Sequence, residues 1–255
     1  MTGTEVRVEI SADADELAAA VAAQAVQVLA QAQAERGRAA LVVTAGSILE
    51  RTLGALAATS EGSGLDWSRV DVWWGDERFV AADSPDRNDT ATLRAGLGAL
   101  GLSPDRIHLA PATDGEVGDD LDGAAAFYDA ELAAAAFDDP GAADGIPRLD
   151  LILLGIGPDG HCASLFPHHP GLDRDDAAII GVRESPKPPP ERLSFSFRAL
   201  DAIDRVWVVA ASADKADAAA RALGGADVES TPAGRPRGRV ETVWWLDRGS
   251  ASQLP

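Results

Sequence analysis

Residues 149–167 read L-D-L-I-L-L-G-I-G-P-D-G-H-C-A-S-L-F-P. An apolar run of strand length, 149–154, stops abruptly in a glycine-rich loop that carries Asp159 and His161 two residues apart. Such a continuous apolar run suits a strand of a parallel sheet covered on both faces, because neither side of it can meet water. Glycines let backbone N–H groups approach a ligand closely, and a strand end holds the loop rigid. Histidine is the side chain whose ordinary pKa suits proton transfer near neutral pH, and an acid two residues away can set its tautomer. The segment therefore offers a scaffold, an anion-friendly backbone and a candidate general base.

Outward from this stretch, strand-like and helix-like segments alternate. Strands are predicted at 6–10, 40–44, 70–74, 178–182, 193–197, 205–211 and 240–246. Helices are predicted at 13–36, with Ser11 or Asp13 as cap, and at 48–59, 88–100, 119–136 and 213–223. Gly, Ser, Pro and Asp mark loops at 61–66 and 138–145, and 229–239 is a polar Pro/Gly/Arg loop. The pattern predicts an α/β fold, a mostly parallel central sheet with helices on both faces. Phe195 alternates with Ser194 and Ser196, which reads as a one-sided edge strand and places a small edge subregion in the C-terminal third. There is no internal repeat and no interdomain linker, so 1–255 reads as a single domain. Open parallel sheets bind ligands at the carboxyl ends of their strands. Three loops at such ends stand out, 45–47, 75–78 and 155–161.

The formal net charge of −19 repels nucleic acid and anionic membranes and speaks against both as partners. Lys187 and Lys215 are the only lysines, and an anionic ligand would need a local basic island in this negative field. The lone Cys162 rules out an internal disulfide and fits a reducing compartment. The polar, acidic stretch 1–16 has no secretory character, and no apolar run approaches membrane-spanning length; 149–156 is far too short and contains Asp150. The expectation is a soluble cytoplasmic protein, a monomer or a small homo-oligomer.

Several constellations could carry chemistry. Gly155, Gly157 and Gly160 match G-x-G-x-x-G after a strand, but Pro167 stops the helix that a dinucleotide fingerprint requires. Cys162 beside His161 invites a nucleophile reading; with no second base nearby in sequence, a small packed neighbour is the simpler one. His168, His169 and Asp159 fit no zinc spacing, so no metal is expected. Gly75-Asp76-Glu77-Arg78 closes a strand, and its two acids and arginine read either as a polar-ligand site or as a salt-bridged turn. Residues 185–192 form a stiff proline-rich loop carrying Lys187 and Arg192. Gly46 and Ser47 open a helix, where free N–H groups favour phosphate, although a plain cap is the commoner role for such a serine.

Taken together, Gly75-Asp76-Glu77-Arg78 with 84–88, the loop 154–167 and the loop 185–192 resemble the glucosamine-6-phosphate isomerase/6-phosphogluconolactonase family in order and spacing, up to Trp245-Leu246-Asp247. The resemblance implies a sugar-phosphate isomerase/deaminase-like fold and no cofactor. It further implies hydrolysis of 6-phospho-D-glucono-1,5-lactone to 6-phospho-D-gluconate in the oxidative pentose phosphate pathway. His161 would act as general base on water and Asp159 would orient it. Gly46, Ser47, Asp76, Arg78, Gly157, Gly160, Lys187 and Arg192 would hold the substrate, with the basic residues on its phosphate. The first loop reads Ala45-Gly46-Ser47-Ile48-Leu49 where the family usually has Gly-Gly-Ser-Thr-Pro, and Cys162 replaces a usual threonine. Two other readings remain. One is an aminosugar-phosphate deaminase or isomerase, whose loop after the histidine usually runs toward Phe-Asn-Glu-Pro rather than Ala163-Ser164-Leu165-Phe166-Pro167. The other is a non-catalytic sugar-phosphate sensor, which would not need His161.

Overall fold

A computed structural model describes residues 5–60, 62–137 and 139–255. The start of the polar N-terminal stretch and the first residues of the loops expected at 61–66 and 138–145 lie outside the described residues. In chain order the elements are β1 (Val6–Ser11), α1 (Ala14–Arg36), β2 (Ala39–Val43), α2 (Ser47–Ser60), β3 (Val70–Trp74) and β4 (Asp76–Arg78). Then come α3 (Asn88–Ala95), β5 (Ile107–His108), α4 (Leu121–Phe137), β6 (Leu151–Gly155) and β7 (Ile179–Val182). The chain ends with β8 (Arg192–Phe195), α5 (Phe197–Asp201), β9 (Arg205–Ala210), α6 (Ala216–Leu223) and β10 (Glu241–Asp247).

Seven strands form one parallel sheet in the order β1-β10-β9-β6-β2-β3-β5. From β2 the chain winds one way through β3 to β5, and from β6 it winds the other way through β9 to β10. The switch point therefore lies between β2 and β6. Alternate residues of each strand enter opposite cores. Leu41, Val43, Leu151, Leu153, Trp207 and Trp245 pack with α1 and α2. Val42, Ile152, Leu154, Val208 and Trp244 pack with α4 and α6. This double burial is why the strands read as unbroken apolar runs.

Asp13 caps α1, accepting from the N–H groups of Asp15 and Glu16, and Gly37 ends it in the left-handed conformation. By length and composition α1 could cross a membrane, which corrects the expectation that no apolar run approaches that length. Its apolar face is spent on the sheet through Leu17, Val21, Val26 and Leu29.

The remaining strands form a three-stranded antiparallel sheet, β4-β8-β7. β8, expected at an edge, is its central strand and is buried along its length. Its serines mislead because Ser194 Oγ satisfies itself inside the core, accepting from Ser164 N–H at 3.2 Å and donating to the Phe195 carbonyl at 3.0 Å. The segment expected to be a loop at 75–78 supplies β4, so this sheet borrows a strand from the N-terminal half. Gly75 joins the two sheets: its N–H donates to Val43 O and its carbonyl accepts from Phe195 N–H, both at 2.8 Å. A Cβ there would lie 3.2 Å from Thr44 Cγ2.

The helix expected at 88–100 stops at Ala95 and resumes as a 3-10 turn, Leu97–Ala99. Gly96 sits so close to α2 that a Cβ would overlap the Leu53 carbonyl. The first turn of α3 rests on Glu77. Its carboxylate accepts from the N–H groups of Asn88 at 2.6 Å, Asp89 at 2.9 Å and Arg78 at 2.7 Å. Burial pushes this carboxyl up to about 7, against the pull of the Arg87 guanidinium 3.7 Å away. Arg87, 2 % exposed, also pairs with Asp89 at 2.7 Å and donates to the Ala110 carbonyl. Removing one partner of such a buried set strands the others in a medium that cannot solvate them. Arg87→Ala is therefore expected to lower stability by about 3–5 kcal/mol in urea unfolding.

Candidate active site

Four neighbouring strands, β9, β6, β2 and β3, end on the same side of the sheet, and their following loops enclose a cavity of about 370 Å³. Thr44 forms part of its floor across the switch point. Its hydroxyl donates to Leu153 O at 3.2 Å and accepts from Gly155 N–H at 3.1 Å.

The loop after β6 folds back on itself. Gly157 N–H donates to His161 O and Gly160 N–H donates to Gly157 O, each at 2.9 Å. His161 Nδ1 lies 2.5 Å from Asp159 Oδ1. Lys187 Nζ lies 3.2 Å from Asp159 Oδ2 and 3.0 Å from the same Nδ1. Only one of these can use the Nδ1 site. The shorter contact, to an ionised acceptor, places a proton on Nδ1 donating to Asp159, and leaves the ammonium to serve the carboxylate. Nε2 is then the free acceptor, on a ring that lines the cavity and packs on Phe166 at 4.8 Å between centroids. Burial opposes ionisation of Asp159, but the His161 hydrogen bond and the Lys187 charge prevail and hold it well below the usual carboxylate range.

Gly157 has to be glycine here, because a Cβ would overlap both the His161 ring and the Asp159 carboxylate. Gly160 holds φ at +97°, a conformation that favours glycine, and packs against Thr231. It is buried and absent from the cavity wall. What the structure shows for Gly160 is a conformational role in this turn.

Gly46 and Ser47 line the cavity where α2 begins. Glu50 N–H donates to Gly46 O at 2.8 Å, so the N–H groups of Ser47, Ile48 and Leu49 precede the first intrahelical bond and can receive an anion. Asp76, Arg78, Lys187 and Arg192 also lie on the wall. Asp76 is held on both sides, by the Ser164 hydroxyl at 2.8 Å and by Asn88 Nδ2 at 3.2 Å. Arg78 donates to the Asp86 carbonyl at 2.6 Å. Arg192 is 5 % exposed and donates to the carbonyls of Pro189, Pro188 and Lys187 at 2.8, 3.0 and 3.1 Å. Much of its donor capacity is spent ordering the proline-rich loop that carries Lys187.

Sequence reasoning missed Lys215, which the turn after β9 brings to the same wall. A signal existed: the chain has two lysines, and both line this cavity. Other candidates stand apart. Cys162 is fully buried, which pushes its thiol up and away from reactivity. His168 pairs with Glu229 at 3.3 Å and His169 with the Arg183 carbonyl at 2.8 Å, outside the cavity.

The fold and site define an α/β protein with a cation-lined cavity for a small polar ligand. Residues 12–245 match the family described as glucosamine-6-phosphate isomerases/6-phosphogluconolactonase, and the chain belongs to that family. It is 47 % identical over 220 residues to the 6-phosphogluconolactonase of Streptomyces coelicolor, covering 86 % of this chain and 84 % of that one. It is 41 % identical over 248 residues to the 6-phosphogluconolactonase of Mycobacterium tuberculosis, covering 97 % and 98 %. Among solved structures, the Trypanosoma brucei 6-phosphogluconolactonase superposes with a TM-score of 0.81 at 22 % identity, covering 99 % of this chain and 100 % of that one. A monomeric glucosamine-6-phosphate deaminase superposes with a TM-score of 0.77 at 20 % identity, covering 97 % and 99 %. Both activities therefore occur on this fold, and the superpositions carry the fold alone.

Gly157→Ala is expected to leave the protein folded and cut turnover about a hundredfold, because it displaces the imidazole from its working position. Because the folded Asp159 value lies below its ordinary 3.8, its contribution to stability is complete above about pH 4 and fades only on further acidification. Asp159→Asn should accordingly lower the melting temperature near neutral pH and flatten its fall at the acid end, as followed by thermal scans.

Proposed function

We propose that this chain hydrolyses 6-phospho-D-glucono-1,5-lactone to 6-phospho-D-gluconate. The observation that carries the reading is the His161 ring, pinned through Nδ1 to Asp159 while Nε2 is left free on a cation-lined cavity. The 41–47 % identity to two 6-phosphogluconolactonases supports the same substrate.

The reaction follows from these groups. Nε2 of His161 takes a proton from water as the water oxygen attacks the lactone carbonyl carbon, C1. The N–H groups of Gly157 and Gly160 are already spent inside the loop, so the oxyanion falls to a cation. Lys187, 3.0 Å from the imidazole, is the nearest. The tetrahedral intermediate then breaks its bond from C1 to the ring oxygen, and the imidazolium returns its proton to that oxygen. Asp159 favours the imidazolium and fixes the ring. The lactone is already an activated ester, so no covalent intermediate is needed. The phosphate dianion sits on the open N–H groups of Ser47, Ile48 and Leu49 with Lys215, completed by Arg78 and Arg192 from the paired strands β4 and β8.

The test is the decay of freshly generated 6-phosphogluconolactone, corrected for its spontaneous opening. Strong acceleration is expected, reduced about 10²–10⁴-fold in His161→Ala with substrate binding retained. Ammonia release from glucosamine-6-phosphate without lactone turnover would instead assign the deaminase reaction. Binding without turnover, unchanged in His161→Ala, would assign a sensor. Lys215→Ala should raise KM for the phosphorylated lactone about ten- to hundredfold and leave KM for unphosphorylated glucono-1,5-lactone unchanged.

A further inference from the structure

The loop carrying Asp159 and His161 touches a part of the chain with no role in the reaction above: the end of α6 and the polar Pro/Gly/Arg segment after it. Arg221 of α6 donates from NH2 to the main-chain carbonyl of Asp159 at 3.2 Å. From NH1 it donates to the Thr231 hydroxyl at 2.6 Å and to the Ser230 carbonyl at 3.2 Å. Its Nε donates to Asp217, one turn earlier on the same helix, at 2.9 Å, which sets the plane of the guanidinium. The next carbonyl of the catalytic loop, that of Gly160, accepts from Ala233 N–H at 3.0 Å. Thr231 is fully buried, and its methyl would lie 3.0 Å from a Cβ built on Gly160. Two consecutive carbonyls of the loop are thus captured from outside it.

We infer that Arg221 is a positioning residue for the His161–Asp159 pair, acting through the Asp159 carbonyl. The inference rests on the lactonase reading. The peptide between Asp159 and Gly160 can turn about two soft dihedrals, and Gly160 imposes little preference of its own. Its orientation decides where the Asp159 carboxylate points, hence whether it meets His161 Nδ1. A planar guanidinium reaches the Asp159 carbonyl and the Thr231 hydroxyl together, in fixed relative geometry. It ties the catalytic loop to a segment that is itself pinned, since Thr231 N–H donates to Asp227 O and His168 N–H to Glu229 O, both at 2.9 Å. Arg221 touches neither the reacting atoms nor the cavity wall, so its removal should spare binding and damage turnover.

The experiment compares wild type, Arg221→Ala, Arg221→Lys and Thr231→Val in the full chain. Arg221→Ala is expected to lower kcat about ten- to hundredfold with KM for 6-phosphogluconolactone little changed. Millimolar guanidinium ion should restore part of the loss, and the same concentration of sodium ion should not. Arg221→Lys should recover less than the full rate, because a point charge cannot serve both acceptors. Thr231→Val keeps the packing on Gly160 and should lose rate in the same direction by less. The second readout is the NMR signal of the proton shared by His161 and Asp159, readily assigned in a chain with four histidines. It should broaden or move upfield in Arg221→Ala. Unchanged kcat and an unchanged signal in Arg221→Ala would overturn the proposal, as would a kcat loss equal to the loss of folded protein without guanidinium rescue. Were wild type to show no lactone turnover, the functional reading would fall, and the imidazole signal would still decide whether Arg221 positions the pair.

Discussion

Everything at the working end of this molecule depends on the parallel pairing of β2 with β6, in which Leu41, Val42 and Val43 face Leu151, Ile152 and Leu153. The chain leaves these two central strands in opposite directions, so among the described residues no crossover helix covers the crevice beyond their carboxyl ends. The loop of β2 brings the opening of α2, and the loop of β6 brings Asp159 and His161. Thr44 ties the two strand ends by hydrogen bonds in both directions. Shifting this pairing by one residue would exchange the two cores as well as separate the loops, because side chains alternate between faces.

Around the crevice the protein works against its own charge. A chain of net charge −19 gathers Arg78, Lys187, Arg192 and Lys215 on one wall. The result is a local cluster of cations in a chain whose net charge repels polyanions. These cations do not share one task. Arg192 is largely consumed by the carbonyls of the loop it supports, and Lys187 is drawn to Asp159 beside the imidazole. Arg192 therefore shapes the loop that delivers Lys187, and Lys187 stands beside the His161–Asp159 pair.

Much of the site was legible because its residues are neighbours in sequence. Asp159 and His161 share a loop, and the geometry of a strand ending in glycines almost forces them together. The chemistry of Gly157 was legible only in part. Its freedom was expected to serve a ligand, whereas the space above it is filled by the His161 ring and the Asp159 carboxylate. β8 was misread as an edge because a serine normally signals water, and here Ser194 finds its partners in the core. Lys215 and Arg221 had no local motif at all. Arg221 reaches the Asp159 carbonyl 62 residues away, and Lys215, paired with its neighbour Asp214, joins a cavity wall built by distant residues; only the packing of α6 and the turn after β9 bring them there.

The sequence by itself determined the α/β class, the parallel core strands and the His–Asp loop, since these follow from hydrophobic periodicity and from contacts within a few residues. Only the tertiary structure decided which strand is central in the small sheet, which carboxylates and carbonyls the cations meet, and which distant residues reach the His161–Asp159 loop. Those outcomes depend on residues far apart in the chain competing for the same donors and acceptors. That competition is settled by the winding of the sheet and not by any local preference.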